Sequence, residues 1–210
     1  MKAAIFDMDG TLLCSMDLAR ELNLTYIAAQ GVTLTEEQRR TLRNLTIAAA
    51  VSFVQREFGV NIDYEALRSN TRAGMLAHYK SGLPTKSGAI AYLKRLRARG
   101  VKCVVATNTR ASSALVALNQ SGLTPHLDYI VSTEMIGLEK NSVAFFDALC
   151  AMIGEDKRDC VMFEDSIYAM QGAREAGLGV IGITDSTNEL TRAQMHEICD
   201  RVIDSYDELE

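Results

Sequence analysis

Two pairs of acidic residues follow apolar runs that lie far apart in the sequence. The first apolar run leads into Asp7 and Asp9, and a later run leads into Glu164 and Asp165. Both runs have the composition of buried parallel strands, and open α/β sheets place ligands at the carboxyl ends of such strands. If the two strands are neighbours, these carboxylates converge in one crevice, where oxygen ligands favour Mg²⁺. Taken singly, the first pair also fits a surface turn, and the second fits a helix cap.

Three further residues have the chemistry of an anion site. Thr107 and Asn108 follow another apolar run and precede a helical segment, so they offer a hydroxyl and unpaired backbone N–H groups to an anion. Lys140 lies at a junction between a loop and a helix, and its compact charge suits a phosphate oxygen. Each also has an ordinary interpretation, as a helix cap or a solvated surface lysine. Only their joint order along the chain indicates phosphate chemistry.

The elements that must position these groups show an α/β pattern. Five short apolar runs are each followed by a longer segment of helical periodicity, which predicts a parallel sheet. Their apolar residues are nearly continuous, so we expect helices on both faces of the sheet. The expected strands are residues 2–7, 101–107, 128–133, 159–164 and 179–184.

A long helical segment separates the first two strands. Between Met16 and Gly82 the sequence contains four amphipathic segments, and Thr35 with Gln38 forms a capping-box pattern. We therefore expect residues 14–83 to form a helical module inserted into a sheet domain made of residues 1–13 and 84–210. Pro84 marks the hinge at the return to the sheet domain.

Composition limits the classes of function. The chain has 210 residues, of which 48% are hydrophobic and 23% charged, as in a globular domain with a small insertion. A net charge of -5 argues against a nucleic-acid partner. Five scattered cysteines without metal spacing are expected to be reduced thiols. With no signal-peptide pattern and no apolar run of membrane-spanning length, we expect a cytoplasmic protein with no membrane partner. The sequence indicates no oligomeric state.

In their order along the chain, the motifs resemble those of the haloacid dehalogenase superfamily of phosphohydrolases. The resemblance spans essentially the whole chain and is nearest to the branch of β-phosphoglucomutase and phosphoglycolate phosphatase. It implies a Rossmann-like, five-stranded parallel sheet in the order 3-2-1-4-5, with residues 14–83 as a C1 cap over the site. The matching stretches are Asp7-Met8-Asp9-Gly10-Thr11, Ala106-Thr107-Asn108, Lys140, and Phe163-Glu164-Asp165-Ser166 with the trailing Gly172-Ala173-x-x-Ala176-Gly177.

The resemblance also implies a mechanism. Asp7 would attack phosphorus to form a phospho-aspartate, and Asp9 would act as acid and then as base. Mg²⁺ would be bound by Asp7, by the backbone carbonyl of Asp9, by Asp165, and by Glu164 directly or through a water molecule. The transferring phosphate oxygens would be held by the hydroxyl of Thr107, the backbone N–H of Asn108 and the ammonium of Lys140.

Three functions remain open, and one is favoured. Dehalogenases lack the second aspartate of the first motif, so Asp9 favours phosphate chemistry. Positions that carry a cap histidine and a cap arginine in β-phosphoglucomutase fall near Ala19 and Ile47 here, which favours hydrolysis of a small phosphorylated metabolite. A phosphosugar mutase and a non-catalytic phospho-ligand sensor or interaction protein are the alternatives. Arg43 and Asn44 are further candidates for substrate contact. For Arg43 we prefer the interpretation as a solvated helix arginine.

Overall fold

The protein is built around one six-stranded parallel sheet, as seen in a computed structural model that describes residues 1–43, 45–185 and 192–209. The strands are Ala3–Phe6 (β1), Lys102–Thr107 (β2), Tyr129–Ser132 (β3), Cys160–Glu164 (β4), Gly179–Ile183 (β5) and Arg201–Ile203 (β6). Their order is β3-β2-β1-β4-β5-β6. The five predicted strands and their order are confirmed, and β1 lies between β2 and β4.

The expectation of five strands is wrong by one, because β6 adds an edge strand beside β5. Residues Ile181 to Ile183 of β5 pair in parallel with Arg201 to Ile203 of β6. A strand of three residues that begins with an exposed arginine is too short to produce a recognisable apolar run. The additional strand lies at the edge of the sheet, beyond β4 and β5, and leaves the predicted crevice unchanged.

Helices cover both faces of the sheet, as the continuous apolar strands predicted. They are Met16–Ala29 (α1), Glu36–Arg43 (α2), Ile47–Phe58 (α3), Tyr64–Ser81 (α4), Ala89–Ala98 (α5), Ala111–Gln120 (α6), Thr133–Ile136 (α7), Val143–Ile153 (α8), Ile167–Ala176 (α9) and Arg192–His196 (α10). Side chains alternate along β1. Ala4 and Phe6 therefore pack into one hydrophobic cluster with α5 and α6, while Ala3 and Ile5 pack into another with α8 and α9.

The four predicted helices of the inserted segment are α1 to α4, and they enclose a hydrophobic cluster of their own. Leu24 of α1, Val54 of α3 and Leu67 of α4 are buried in it. The capping box before α2 is confirmed. The backbone N–H of Thr35 donates to Oε1 of Gln38 at 2.9 Å, and the backbone N–H of Gln38 donates to Oγ1 of Thr35 at 3.2 Å.

The two chain segments that join the inserted helices to the sheet run side by side. The backbone N–H of Cys14 donates to the carbonyl of Pro84, and the N–H of Lys86 donates to the carbonyl of Leu12, both at 2.9 Å. Helix α4 also packs against α6, which follows β2. These contacts hold the inserted helices beside the carboxyl edge of the sheet.

All five cysteines are free thiols, as expected. Four are buried, and Cys14 is exposed. Across the described residues, no helix has both the length and the apolar composition needed to cross a lipid bilayer.

Candidate active site

The acidic ends of β1 and β4 lie side by side, as the sequence predicted. Phe6 pairs with Phe163 in the sheet, and the backbone N–H of Asp7 donates to the carbonyl of Phe163 at 2.9 Å. One carboxylate oxygen from each of Asp7, Glu164 and Asp165 lies within 4.8 Å of the other two. All three residues are buried. Residues more than 150 positions apart in sequence therefore form one carboxylate cluster.

A tight turn after β1 lets the chain pass close to Asp165. Gly10 has a φ of +84°, a left-handed conformation that disfavours any residue with a β-carbon. A β-carbon at this position would lie 2.3 Å from Oδ2 of Asp165. The next residue, Thr11, donates its hydroxyl to Oδ1 of Asp165 at 3.3 Å. The turn thus positions the carboxylate of Asp165 toward the end of β1.

The ammonium of Lys140 lies inside the cluster and not in solvent. It donates to Oδ1 of Asp7, to Oε2 of Glu164 at 2.8 Å and to the carbonyl of Ala106 at 3.2 Å. Gly172 of α9 allows the loop of Lys140 to approach, since a β-carbon at Gly172 would be 2.6 Å from the carbonyl oxygen of Lys140. The interpretation of Lys140 as a solvated surface lysine is therefore wrong: the residue is 1% exposed.

Glu164 is held by hydrogen bonds on both carboxylate oxygens. Oε2 accepts from Lys140, and Oε1 accepts from the backbone N–H groups of Asp165 and Ser166 and from the Ser166 hydroxyl at 2.9 to 3.1 Å. Oε1 thus accepts from three donors, whereas Oε2 accepts from Lys140 alone and keeps a lone pair. Oε2 is therefore the oxygen of Glu164 that is available to a metal ion or to a metal-bound water.

The cluster brings three carboxyl groups together with one ammonium group. Burial raises the pKa of Asp7 to about 7, with Lys140 opposing the rise and Glu164 adding to it. Burial and the charges of Glu164 and Asp7 also raise the pKa of Asp165. Burial disfavours the charged forms of Glu164 and Lys140 too. The negative charges of Asp7 and Glu164 outweigh burial at Lys140 and raise its pKa, while the charge of Lys140 and the hydrogen bonds to Glu164 lower the pKa of Glu164.

This imbalance fits a bound divalent cation. Two buried carboxylates with raised pKa values gain a stabilising partner when a cation lies between them. Their oxygens are the hard ligands that Mg²⁺ prefers. The residues present therefore fit the metal that the sequence predicted, with Asp7 and Asp165 as the carboxylates best suited to ligate it.

Asp9 is held beside the carboxylate cluster by three hydroxyl groups. Its Oδ1 accepts from Ser15 at 2.7 Å and from Tyr79 at 2.8 Å, and its Oδ2 accepts from Thr109 at 2.8 Å. Tyr79 belongs to α4 of the inserted segment, so the hydrogen bond from Tyr79 joins that segment to the sheet. A carboxylate held in this way near Asp7 has the position required of a proton donor or acceptor.

Thr107 and Asn108 lie at the carboxyl end of β2, next to β1. Thr107 is buried, and its Oγ1 accepts from the backbone N–H of Thr109 at 3.0 Å, which leaves the hydroxyl proton available to a ligand. Asn108 is exposed, and its side-chain amide donates to the hydroxyl of Tyr168 at 2.6 Å. Asn108 lines a cavity that Asp9 also lines, and the residue before Thr107, Ala106, accepts a hydrogen bond from Lys140.

Comparison with known proteins identifies the family. A profile described as "Hydrolase: haloacid dehalogenase-like hydrolase" matches residues 1–177. The chain belongs to this family. The resemblance of the four ordered motifs is thereby confirmed.

Relatives of this haloacid dehalogenase-like hydrolase match most of its length. A phosphoglycolate phosphatase from Rhodospirillum rubrum is 30% identical over 188 residues, covering 86% of this chain and 78% of the relative. The crystal structure of a predicted phosphoglycolate phosphatase from Haemophilus somnus 129pt has a TM-score of 0.84 at 18% identity and covers 100% of this chain and 96% of that one. A β-phosphoglucomutase candidate from Thermotoga maritima has a TM-score of 0.76 at 20% identity, covering 97% and 94%. The two structural likenesses confirm the fold.

Sequence reasoning about this haloacid dehalogenase-like hydrolase missed the residues around Asp9. The contact of Tyr79 with Asp9 could not be predicted from the sequence, because no local spacing connects a residue of α4 with the end of β1. Arg43 forms ion pairs with Asp17 and Glu21 of α1, which supports the interpretation as a surface helix arginine. Asn44 lies outside the described residues.

Proposed function

We propose that the protein is a Mg²⁺-dependent phosphatase that hydrolyses a small phosphorylated metabolite through a phospho-aspartate. One observation carries the proposal: Asp7, Glu164, Asp165 and Lys140 form one buried cluster, and Asp9 lies beside it. The family match and the name of the Rhodospirillum rubrum relative support hydrolysis of a phosphate ester.

In the first half-reaction, the carboxylate of Asp7 attacks the phosphorus of the substrate. A P–O bond to Asp7 forms while the P–O bond to the leaving alcohol breaks. Asp9, protonated at this stage, gives its proton to the leaving oxygen. Thr107, the backbone N–H of Asn108 and Lys140 hold the transferring oxygens, and such charge-balanced positioning supplies most of the catalysis in phosphoryl transfer.

In the second half-reaction, water replaces the alcohol. Asp9, now a carboxylate, takes a proton from the water, whose oxygen attacks phosphorus. The P–O bond to Asp7 breaks, so that inorganic phosphate leaves and Asp7 returns to its free carboxylate. The hydroxyls of Ser15, Tyr79 and Thr109 keep Asp9 directed at the reacting oxygen in both steps.

When bound, Mg²⁺ offsets the negative charge of the phosphate and of the carboxylates around it. Asp7 and Asp165 would hold it with their carboxylates and Asp9 with its backbone carbonyl. Glu164 would contribute through Oε2, directly or through a water molecule. Lys140 balances the remaining charge between Asp7 and Glu164.

We further propose that the chain divides into a core of residues 1–13 and 84–210 and a C1 cap of residues 14–83. The separate hydrophobic cluster of the inserted helices and the paired connecting segments support this division. The cap bounds the site through Tyr79. Ala19 and Ile47 both line the cavity next to Asp9. The cap histidine and cap arginine of the mutase fall near these two positions, which are apolar here. This observation favours hydrolysis over mutase chemistry.

The proposal is tested by measuring phosphate release from a panel of phosphorylated metabolites, with Mg²⁺ and with EDTA. The wild-type protein should release phosphate only with Mg²⁺. Asp7→Asn should reduce release below detection, because an amide cannot form the acyl phosphate. Asp147→Asn is the matched control, since Asp147 forms a surface ion pair with Lys157 and should keep wild-type activity.

Each alternative predicts a different product. A mutase would return an isomerised phosphosugar in place of free phosphate. A phospho-ligand sensor would bind inorganic phosphate without turning over any member of the panel. Wild-type phosphate release by Asp7→Asn, or release that EDTA leaves unchanged, would refute the proposed mechanism.

A further inference from the structure

Tyr168 and Asn108 form a hydrogen bond between the two chain segments that flank the end of β1. Strand β1 lies between β2 and β4, Asn108 follows β2, and Tyr168 lies in the first turn of α9 after β4. The side-chain amide of Asn108 donates to the hydroxyl of Tyr168 at 2.6 Å. Because the carboxyl ends of these three strands meet at one edge of the sheet, this hydrogen bond spans the end of β1, where Asp7 lies.

The hydroxyl of Tyr168 also faces the carboxylate cluster. Burial raises the pKa of Tyr168, and the charges of Glu164 and Asp7 add to the rise, while the charge of Lys140 opposes it. A hydrogen bond with Ser166 lowers the same pKa, so the hydroxyls of Ser166 and Tyr168 adjoin each other. Tyr168 as a whole is 42% exposed. The hydroxyl therefore points into the site, and part of the ring faces solvent.

These contacts complete a ring of polar groups around the end of β1. Lys140 donates to the carbonyl of Ala106 at 3.2 Å and to Oε2 of Glu164 at 2.8 Å. The hydroxyl of Ser166 donates to Oε1 of Glu164 at 2.9 Å. In order around the ring, the members are Ala106, Lys140, Glu164, Ser166, Tyr168 and Asn108. Tyr168 is the member that lies outside the four ordered motifs, which therefore assign it no role.

The loop after β2 is held from both sides of β1. On the side of β2, Oγ1 of Thr107 accepts from the backbone N–H of Thr109 at 3.0 Å, and the hydroxyl of Thr109 donates to Asp9 at 2.8 Å. On the side of β4, the hydroxyl of Tyr168 holds the side chain of Asn108. The backbone N–H of Asn108, which the proposed function assigns to a phosphate oxygen, lies between these anchors.

We propose that Tyr168 is a positioning residue that acts through Asn108. Its hydroxyl fixes the side chain of Asn108 and thereby directs the backbone N–H of Asn108 at a phosphate oxygen in the transition state. Preorganised donors of this kind lower the barrier because they need no rearrangement during the reaction. The inference rests on the proposed phosphatase function, since it concerns the phosphate end of the same site.

Tyr168→Phe tests the inference, because it removes the hydroxyl and keeps the ring at a partly exposed position. In the Mg²⁺-loaded protein we expect kcat to fall about tenfold, and KM to change less than about twofold, for the panel compound that the wild type hydrolyses fastest. Orthovanadate, whose five-coordinate form resembles the transferring phosphate, should bind about tenfold more weakly by calorimetry. Inorganic phosphate, which has the ground-state geometry, should lose less affinity.

Asn108→Ala completes a double-mutant cycle. This variant loses the side-chain amide and keeps the backbone N–H, so its kcat should fall as much as that of Tyr168→Phe. The double variant should lose no more than either single variant, because both changes break the same contact.

Tyr129→Phe is the matched control. Tyr129 is 39% exposed, much like Tyr168, but it begins β3 at the amino edge of the sheet, away from the site. Its kcat and its affinity for orthovanadate should match the wild type.

The failure of this inference differs from the failure of the proposed function. Wild-type kcat and orthovanadate affinity in Tyr168→Phe would overturn the inference and leave a Mg²⁺-dependent phosphatase, even if thermal unfolding showed a loss of stability. Additive losses in the double variant would overturn the assignment through Asn108. Absence of phosphate release from every compound by the wild type would overturn the phosphatase function itself, while calorimetry with orthovanadate would still compare Tyr168→Phe with the wild type.

Discussion

Gly10 lies directly against the carboxylate of Asp165, because a β-carbon at Gly10 would be 2.3 Å from Oδ2 of Asp165. We therefore predict that Gly10→Ala displaces Asp165 from the carboxylate cluster. A displacement of about 1 Å can reduce turnover on the order of 10²-fold. The left-handed backbone at φ +84° should also cost about 1–2 kcal/mol of stability. Phosphate release and urea unfolding measure the two effects.

Gly122→Ala is the control that introduces a left-handed backbone strain without a contact to Asp165. Gly122 has a similar φ of +73°, and a β-carbon added there would have no neighbouring atom within 4 Å. This control should lose comparable stability and keep wild-type turnover. Equal activities in the two variants would show that the approach of Gly10 to Asp165 has no catalytic consequence.

Lys140 is the buried positive charge between Asp7 and Glu164, and we predict that Lys140→Met destabilises the metal-free protein. Removing one partner of a buried ion pair leaves uncompensated charge and costs about 3–5 kcal/mol. Added Mg²⁺ should recover part of the loss, because a cation replaces part of the missing charge. Thermal and urea unfolding in EDTA and in Mg²⁺ measure this.

The matched control for that experiment is Lys157→Met. Lys157 pairs with Asp147 at 2.5 Å on the surface, where both side chains are at least a third exposed. Its loss should cost no more than about 1 kcal/mol. If Lys140→Met unfolds at the same urea concentration as Lys157→Met, the ion pairs within the cluster do not stabilise the fold.

The raised pKa of Asp7 predicts how stability depends on pH without metal. Its pKa rises from 3.8 in the unfolded chain to about 7 in the folded protein, so the folded state binds more protons between these values. Stability in EDTA should therefore fall as pH rises from about 4 to about 7, by up to about 1.4 kcal/mol for each pH unit. The raised pKa of Asp165 acts in the same direction.

Asp7→Asn provides the reference for this measurement. Its unfolding free energy, determined by urea titration across the same pH range, should fall less steeply than that of the wild type. Mg²⁺ binding to the wild type at pH 6 should release protons, which calorimetry in buffers of different ionisation enthalpy detects. Parallel pH profiles for the two proteins would contradict the raised pKa of Asp7.

Much of this architecture was predictable because it depends on local patterns. Continuous apolar runs predicted β1 to β5, and periodic apolar positions with a capping box predicted the inserted helices. The strand order came from the resemblance of the ordered motifs to a family. That order in turn placed Asp7 beside Asp165, although no local sequence pattern connects the two residues.

Other features depend on tertiary packing alone. Strand β6 is three residues long and produces no periodic pattern. The hydrogen bond from Tyr79 to Asp9 depends on how α4 lies beside the end of β1, which no spacing within either element encodes. Lys140 shows the same limit, since its sequence context is that of a surface loop while the fold buries it between carboxylates.

The hydrogen bond from Tyr79 to Asp9 links the inserted helices to the reacting carboxylate, and it leads to the final prediction. Tyr79→Phe removes a 2.8 Å bond but keeps the buried ring, and Ser15 and Thr109 still hold Asp9. We expect kcat for phosphate release to fall about tenfold, because hydrogen bonds to charged groups contribute about 1.5–3 kcal/mol. Tyr64→Phe, at an exposed position of the same helix, should keep wild-type kcat. A loss of stability in Tyr79→Phe with unchanged kcat would show that the hydroxyl supports packing and does not position Asp9.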